Sequence, residues 1–248
     1  MMLDFGKLTL RYEPYPIGLA RPALAPELYD RLTGDYPPVE LFEYKPEIGK
    51  KYSLSERNNR RQYEAFVGRH PHWQAFHAFV KSPEFIEQTL SALKERGVDL
   101  GLKVSPNRLA KLLRSIGRGS LHTGQPPLSA RFEFSMLPAD GGSVIPHTDS
   151  PGKSITLVIS MVRDGEWDQR FGGGLDVNRP KDPRLYYNER NRQAAFEDME
   201  ILETFPFLPN QAVVFVKTFN SWHSVRPMTG PADGPMRKTL TINIELKD

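Results

Sequence analysis

Lys238-Thr-Leu-Thr-Ile-Asn-Ile-Glu-Leu246 alternates without a break: Leu240, Ile242, Ile244 and Leu246 fall on one parity, and Thr239, Thr241, Asn243 and Glu245 on the other. Neighbouring side chains of a strand point to opposite faces, so the stretch is a strand with one apolar and one polar side. Moving toward the N-terminus, Gln211 to Lys217 is a buried strand after the Pro209-Asn210 turn, and Gly172-Gly-Gly-Leu-Asp-Val177 is a short strand introduced by glycines. Ser154 to Val162 sets Ile155, Leu157, Ile159 and Met161 against Thr156, Val158 and Ser160. Arg131 to Leu137 puts Phe132, Phe134 and Met136 on one side, and Pro138-Ala-Asp-Gly-Gly142 turns the chain after it. No crossover helices lie between these strands, which argues against a parallel sheet and for a mainly β sandwich or barrel.

The first half reads differently. Leu8 to Tyr12 is a weak strand, followed by Pro14, Pro16 and Pro22, which oppose regular structure. Ala25 to Leu32 is a short amphipathic helix stopped by Gly34. Residues 39–60 are polar and patternless, the mark of a long surface loop. From His72 to Arg96, Trp73, Phe76, Phe79, Val80, Phe85, Ile86, Leu90 and Leu93 recur at helical spacing, and Ser82-Pro83 divides the run into two helices. Ser105-Pro106 opens a further short helix with Arg108, Lys111, Arg114 and Arg118 on one side, a solvated basic face. Residues 178–204 are a charged insertion among the strands, an excursion or a lid. Without a clean linker, the chain is expected to form one domain over 1–248, with 1–125 mostly helical support and 126–248 the β core.

Composition narrows the chemistry. The chain has 248 residues, enough to bury a core, and a net charge of +3, too mild to argue for nucleic-acid binding but tilted toward anionic substrates. It has no cysteine, which removes disulfides, thiolate metal sites and thiol nucleophiles. The N-terminus shows no charged head followed by an apolar run, and no segment has the length of a membrane span, so a cytoplasmic protein without membrane partners is the expectation.

The chemistry is expected at Ser143-Val-Ile-Pro-His147-Thr-Asp149-Ser150. Pro146 favours extended backbone, and residues two apart on extended chain point the same way. An imidazole of His147 and a carboxylate of Asp149 can therefore converge on one ion. His223, in Ser221-Trp-His-Ser-Val-Arg-Pro227, is the candidate third ligand. Two histidines and a carboxylate that leave coordination positions open are the pattern of non-haem Fe(II) oxygenases.

The ordered set of strand, His-x-Asp, strand, Gly-Gly-x-Leu from Gly172, Pro-Asn-x-x-x-x-Phe from Pro209, His-x-Val-x-Pro from His223, Arg237-x-Thr239 and final strand resembles the 2-oxoglutarate- and Fe(II)-dependent dioxygenases, in their prolyl-hydroxylase-like form. The resemblance covers roughly residues 130–246. It implies a double-stranded β-helix, or jelly roll, with N-terminal supporting helices. It also implies Fe(II), 2-oxoglutarate as co-substrate and O2, with succinate and CO2 released as a small molecule, amino acid or prolyl or peptidyl group is hydroxylated. His147, Asp149 and His223 match the family's metal-binding and catalytic triad. Arg237 matches the residue that holds the distal carboxylate of 2-oxoglutarate, a task that suits the guanidinium fork. Thr239 matches a hydroxyl added to that carboxylate, and Arg226, nearer in sequence to His223, competes with Arg237. The alternatives are a cupin-like metalloenzyme without 2-oxoglutarate and a metal-free jelly-roll binding module.

Overall fold

The computed structural model describes residues 2–104 and 128–246. The helix expected from Ser105, and its basic face, lie outside the described residues. Twelve strands follow one another as β1 (Thr9–Arg11), β2 (Ile17–Ala20), β3 (Glu43–Lys45), β4 (Lys51–Ser55), β5 (Leu128–Pro138), β6 (Val144–His147), β7 (Lys153–Ser160), β8 (Leu175–Pro180), β9 (Met199–Phe205), β10 (Ala212–Val216), β11 (His223–Val225) and β12 (Met236–Leu246). The helices α1 (Pro26–Gly34), α2 (Arg60–Arg69), α3 (Pro71–Val80) and α4 (Pro83–Lys94) precede β5.

The strands make two antiparallel sheets. The larger has the order β1-β2-β10-β7-β12-β5-β4-β3 and the smaller β6-β11-β8-β9. Tyr15, Ile17, Val213 and Phe215 on the larger sheet's side pack against Leu175, Val177 and Phe205 of the smaller. This is the expected mainly β double-stranded β-helix.

Strand parity gives the larger sheet two unlike faces. Leu240, Ile242 and Ile244 of β12, Ile155, Leu157 and Ile159 of β7, and Phe132 and Phe134 of β5 share one core with Trp73, Phe76, Phe85 and Leu93 of α3 and α4. Trp73 is fully buried and meets Phe132, Phe134, Phe76 and Tyr36 edge to face. The break between α3 and α4 falls where expected: Pro83 occupies the first turn of α4, and Ser82 Oγ accepts from Phe85 N–H (3.2 Å). The opposite face is polar. Antiparallel register lines Ser53, Ser135, Thr239 and Ser160 into one row across four strands, and Arg131, Asn243 and Thr156 into another.

Two expectations for the first half are corrected. Residues 39–60 are not a patternless loop, because β3 and β4 lie there and β4 pairs with β5 inside the larger sheet. The prolines around 14–22 do not exclude regular structure either, since β2 runs between Pro16 and Pro22 and pairs with β10. The stretch before β5 therefore supplies four strands as well as helices, including α2, which the sequence pattern did not reveal. The polar stretch 178–204 closes β8 and opens β9, the hairpin partner at the edge of the smaller sheet.

Candidate metal site and anion pocket

β6 ends on His147 and β11 begins on His223, and the two are direct cross-strand partners. That one pairing brings together residues far apart in sequence and sets their ring centroids 4.3 Å apart. Asp149 follows two residues after His147, beyond the end of β6. Its backbone is left-handed (φ 70°), a conformation that Asp tolerates because its short polar side chain can bond locally. One ligand atom from each of His147, Asp149 and His223 lies within 4.8 Å of the others.

The donor chemistry fits a metal. His147 Nδ1 lies 2.9 Å from the Ile145 carbonyl, and His223 Nδ1 lies 2.9 Å from the Ser221 carbonyl. A carbonyl only accepts, so each Nδ1 carries the proton and each Nε2 presents its lone pair, the outer-shell arrangement found around metal-bound imidazoles. Burial, reinforced by the charge of His147, pulls His223 down to about 3, which keeps its ring neutral. Asp149 is buried as well. Burial alone would raise its carboxyl, but the two imidazoles turned toward it and the ammonium of Lys153 outweigh that and hold it well below the usual range. Thr156 Oγ1 donates to Asp149 Oδ2 (2.9 Å), and Lys153 Nζ donates to Oδ1.

The triad opens into a cavity of about 130 Å³ between the sheets. Arg237 and Thr239 line it from β12, together with Lys51, Ser135, Lys153 and Thr241. Arg237 is buried (5% exposed), its guanidinium stacks 4.5 Å over the Phe207 ring, and its Nε donates to the Gly173 carbonyl (2.5 Å). Gly173 has φ 85° and would bring any Cβ to 3.2 Å from Arg237 Cδ, so glycine suits both its backbone and this close approach. No carboxylate among the described residues pairs with Arg237. Burial without a counter-ion pulls its guanidinium down to about 10, so it stays charged at neutral pH and lacks an anion.

Arg226, the expected competitor, is elsewhere. Its side chain is 56% exposed and pairs with Asp176 (2.9 Å), a carboxylate that is itself buried and also accepts from Thr204 Oγ1 (2.5 Å). It does not line the cavity. By Arg226 the chain has left β11, and Asp176 on the neighbouring strand β8 captures the guanidinium.

Sequence reasoning missed Lys153, Thr156, Lys51 and Ser135. A signal existed for Thr156, because the polar parity of β7 continues the polar face of β12. For Lys51 no local signal existed, because it belongs to a five-residue strand whose apolar face is carried by Leu54 alone with Tyr52 beside it.

No protein-family model matches the sequence, and no curated protein matches it. Solved structures do. A prolyl-4-hydroxylase from Pseudomonas putida aligns over 95% of this chain and 95% of its own, at 14% identity and a TM-score of 0.50. The two share a fold. A prolyl hydroxylase from Trichoplax adhaerens, solved with a hypoxia inducible factor oxygen degradation domain peptide fragment, aligns over 92% of this chain and 83% of its own at 11% identity and a TM-score of 0.48. SnoN, a non-heme alpha ketoglutarate dependent epimerase from nogalamycin biosynthesis, covers 95% of this chain and 78% of its own at 11% identity and a TM-score of 0.47. No helix among the described residues is long and apolar enough to cross a membrane.

Proposed function

We propose that the chain is a single-domain Fe(II)- and 2-oxoglutarate-dependent dioxygenase. The observation that carries this is a buried guanidinium without a counter-ion, Arg237, sharing one cavity with the convergent His147, Asp149 and His223. A metal site alone suits a cupin-like enzyme equally well. A buried unpaired arginine lining the same cavity has no use there unless an anion joins it.

His147 and His223 would hold the ion through Nε2 and Asp149 through a carboxylate oxygen, leaving coordination positions free. When bound, the ferrous ion with 2-oxoglutarate and O2 supplies an oxidant that hydroxylates an unactivated C–H bond while the keto acid becomes succinate and CO2. The protein's own residues do the positioning. The Ile145 and Ser221 carbonyls fix the two imidazole orientations. Arg237 and the Thr239 hydroxyl receive the distal carboxylate, and Phe207 and Trp167 close the cavity behind Arg237 against water. The long connection between β8 and β9 borders the His-x-Asp turn, where Thr148 Oγ1 donates to the Asn188 carbonyl (2.7 Å) and Ala194 N–H to the Pro146 carbonyl (3.1 Å).

The test is turnover without added substrate. Incubation with Fe(II), ascorbate, O2 and 2-oxoglutarate is expected to release succinate slowly, and His147→Ala to abolish the release. Succinate formation that persists in His147→Ala, or is absent at every 2-oxoglutarate concentration in a protein that binds the metal, overturns the proposal.

A further inference from the structure

Once a divalent ion is counted, the cavity contains more positive charge than Asp149 and one keto diacid account for. Besides Arg237, it is lined by Lys51 from β4 and by Lys153, the first residue of β7. Both side chains are largely enclosed, at 29% and 14% exposure. Lys51 has a lasting partner in Glu133 (2.6 Å), which also takes Arg131 (2.9 Å). Lys153 pairs with Asp149 Oδ1, and that oxygen also lies 3.6 Å from His147 Nε2, among the converging ligand atoms.

An ammonium and a divalent ion cannot hold one buried carboxylate oxygen without strong mutual repulsion. Among the described residues, Asp149 is the only acid lining the cavity. The other acids near Lys153 are already committed: Glu133 to Lys51 (2.6 Å) and Arg131 (2.9 Å), and Glu245, its register partner, to Arg57 (3.1 Å) and Arg131 (3.4 Å). Metal loading therefore leaves Lys153 enclosed and without an anion, a state that a bound ligand must relieve.

Resting on the oxygenase reading, we propose that Lys153 binds a carboxylate of the primary substrate, with Lys51 beside it, and that in the metal-free protein the same ammonium holds the Asp149 site in place of the ion. The substrate class is a small carboxylic acid whose oxidised carbon lies near its acid group. An internal prolyl residue of a peptide has no such group to offer. A phosphate is disfavoured because the lining residues come from strands and loops, with no helix N-terminus among them.

The experiment has two parts, on the full chain. Mn(II) affinity is measured by calorimetry for wild type, Lys153→Met and Lys153→Arg. Removal of the competing ammonium is expected to tighten Mn(II) binding at least about tenfold in Lys153→Met, with Lys153→Arg near wild type. Thermal melts of the protein loaded with Mn(II) and 2-oxoglutarate are then compared in acetate, acetamide, phosphate and chloride at equal ionic strength. Acetate is expected to raise the melting temperature of wild type and Lys153→Arg but not of Lys153→Met, and acetamide to do nothing. Unchanged Mn(II) affinity in Lys153→Met, an acetate shift that survives that substitution or never occurs, or a larger shift with phosphate overturns the proposal. A wild type that binds neither Mn(II) nor 2-oxoglutarate refutes the oxygenase reading itself, an outcome distinct from binding both with no role for Lys153.

Discussion

Arg237→Met should make the ligand-free protein more stable and abolish its response to 2-oxoglutarate. Burial holds the guanidinium at about 10 against an ordinary 12.5, equivalent to about 3 kcal/mol working against the charged form. Methionine removes that penalty but loses the stacking on Phe207, about 0.5–2 kcal/mol, and the hydrogen bond to Gly173, about 1 kcal/mol. The balance is a gain of about 1 kcal/mol, which at this chain length raises the melting temperature by about 2–4 °C. Binding behaves in the opposite way. Two charge-assisted hydrogen bonds to a carboxylate are worth about 3–6 kcal/mol together, so the variant should lose a factor of about 10² to 10⁴ in affinity for 2-oxoglutarate. Thermal melts with Mn(II), with and without 2-oxoglutarate, read both effects: at a hundredfold excess over Kd the wild type gains about 2.7 kcal/mol and the variant almost nothing. A variant that melts below wild type without ligand and still shifts normally with 2-oxoglutarate would refute the argument that Arg237 is a charge awaiting an anion.

Arg226→Ala should leave 2-oxoglutarate affinity within about twofold of wild type, yet lower stability by about 1–3 kcal/mol because buried Asp176 loses its charge partner; calorimetry and denaturant melts separate the two. Glu133 answers to pH. Burial raises its carboxyl, but Lys51 and Arg131 overcome that and hold it at about 2 against an ordinary 4.5. A depressed folded value gives stability that is present above pH 4.5 and lost as pH falls toward 2. Glu133→Gln should therefore cost up to about 3 kcal/mol at neutral pH, with the difference from wild type closing in acid melts. Trp73→Ala, at the centre of the aromatic cluster between α3 and β5, should cost about 3–5 kcal/mol in chemical denaturation without altering metal stoichiometry.

The strands at 131–137, 154–162 and 238–246 were legible because they bury one apolar face under helices, so Phe132, Phe134, Leu240 and Ile242 carry the period of two openly. β4 was illegible. Its five residues alternate Lys51, Ser53 and Ser55 with Tyr52 and Leu54, and of these only Leu54 is an aliphatic side chain buried under the helices, so the apolar period is too short to read. β2, four residues between prolines, finds its stability in pairing with β1 and β10, which no local window contains. The same holds for the site. His147 and Asp149 announce themselves by adjacency on extended chain, and His223 by its place in an ordered set. That Arg237 lines the cavity and Arg226 does not depended on where β11 ends and on Asp176 of β8 lying within reach of Arg226, information that exists only in the assembled sheet. Lys153 was hidden because four residues across a turn have no fixed separation until the turn is known.

The central claim is that His147, Asp149 and His223 hold one ferrous ion beside a keto acid anchored on Arg237. Anaerobic titration of metal-free protein with Fe(II), followed by 2-oxoglutarate, tests it most directly through the visible iron-to-keto-acid charge-transfer absorption. The account predicts a band that saturates at one iron per chain, is absent in His147→Ala and His223→Ala, and requires far more 2-oxoglutarate in Arg237→Met. No band in a wild type that has bound iron, or a band of full intensity in either histidine variant, would contradict it.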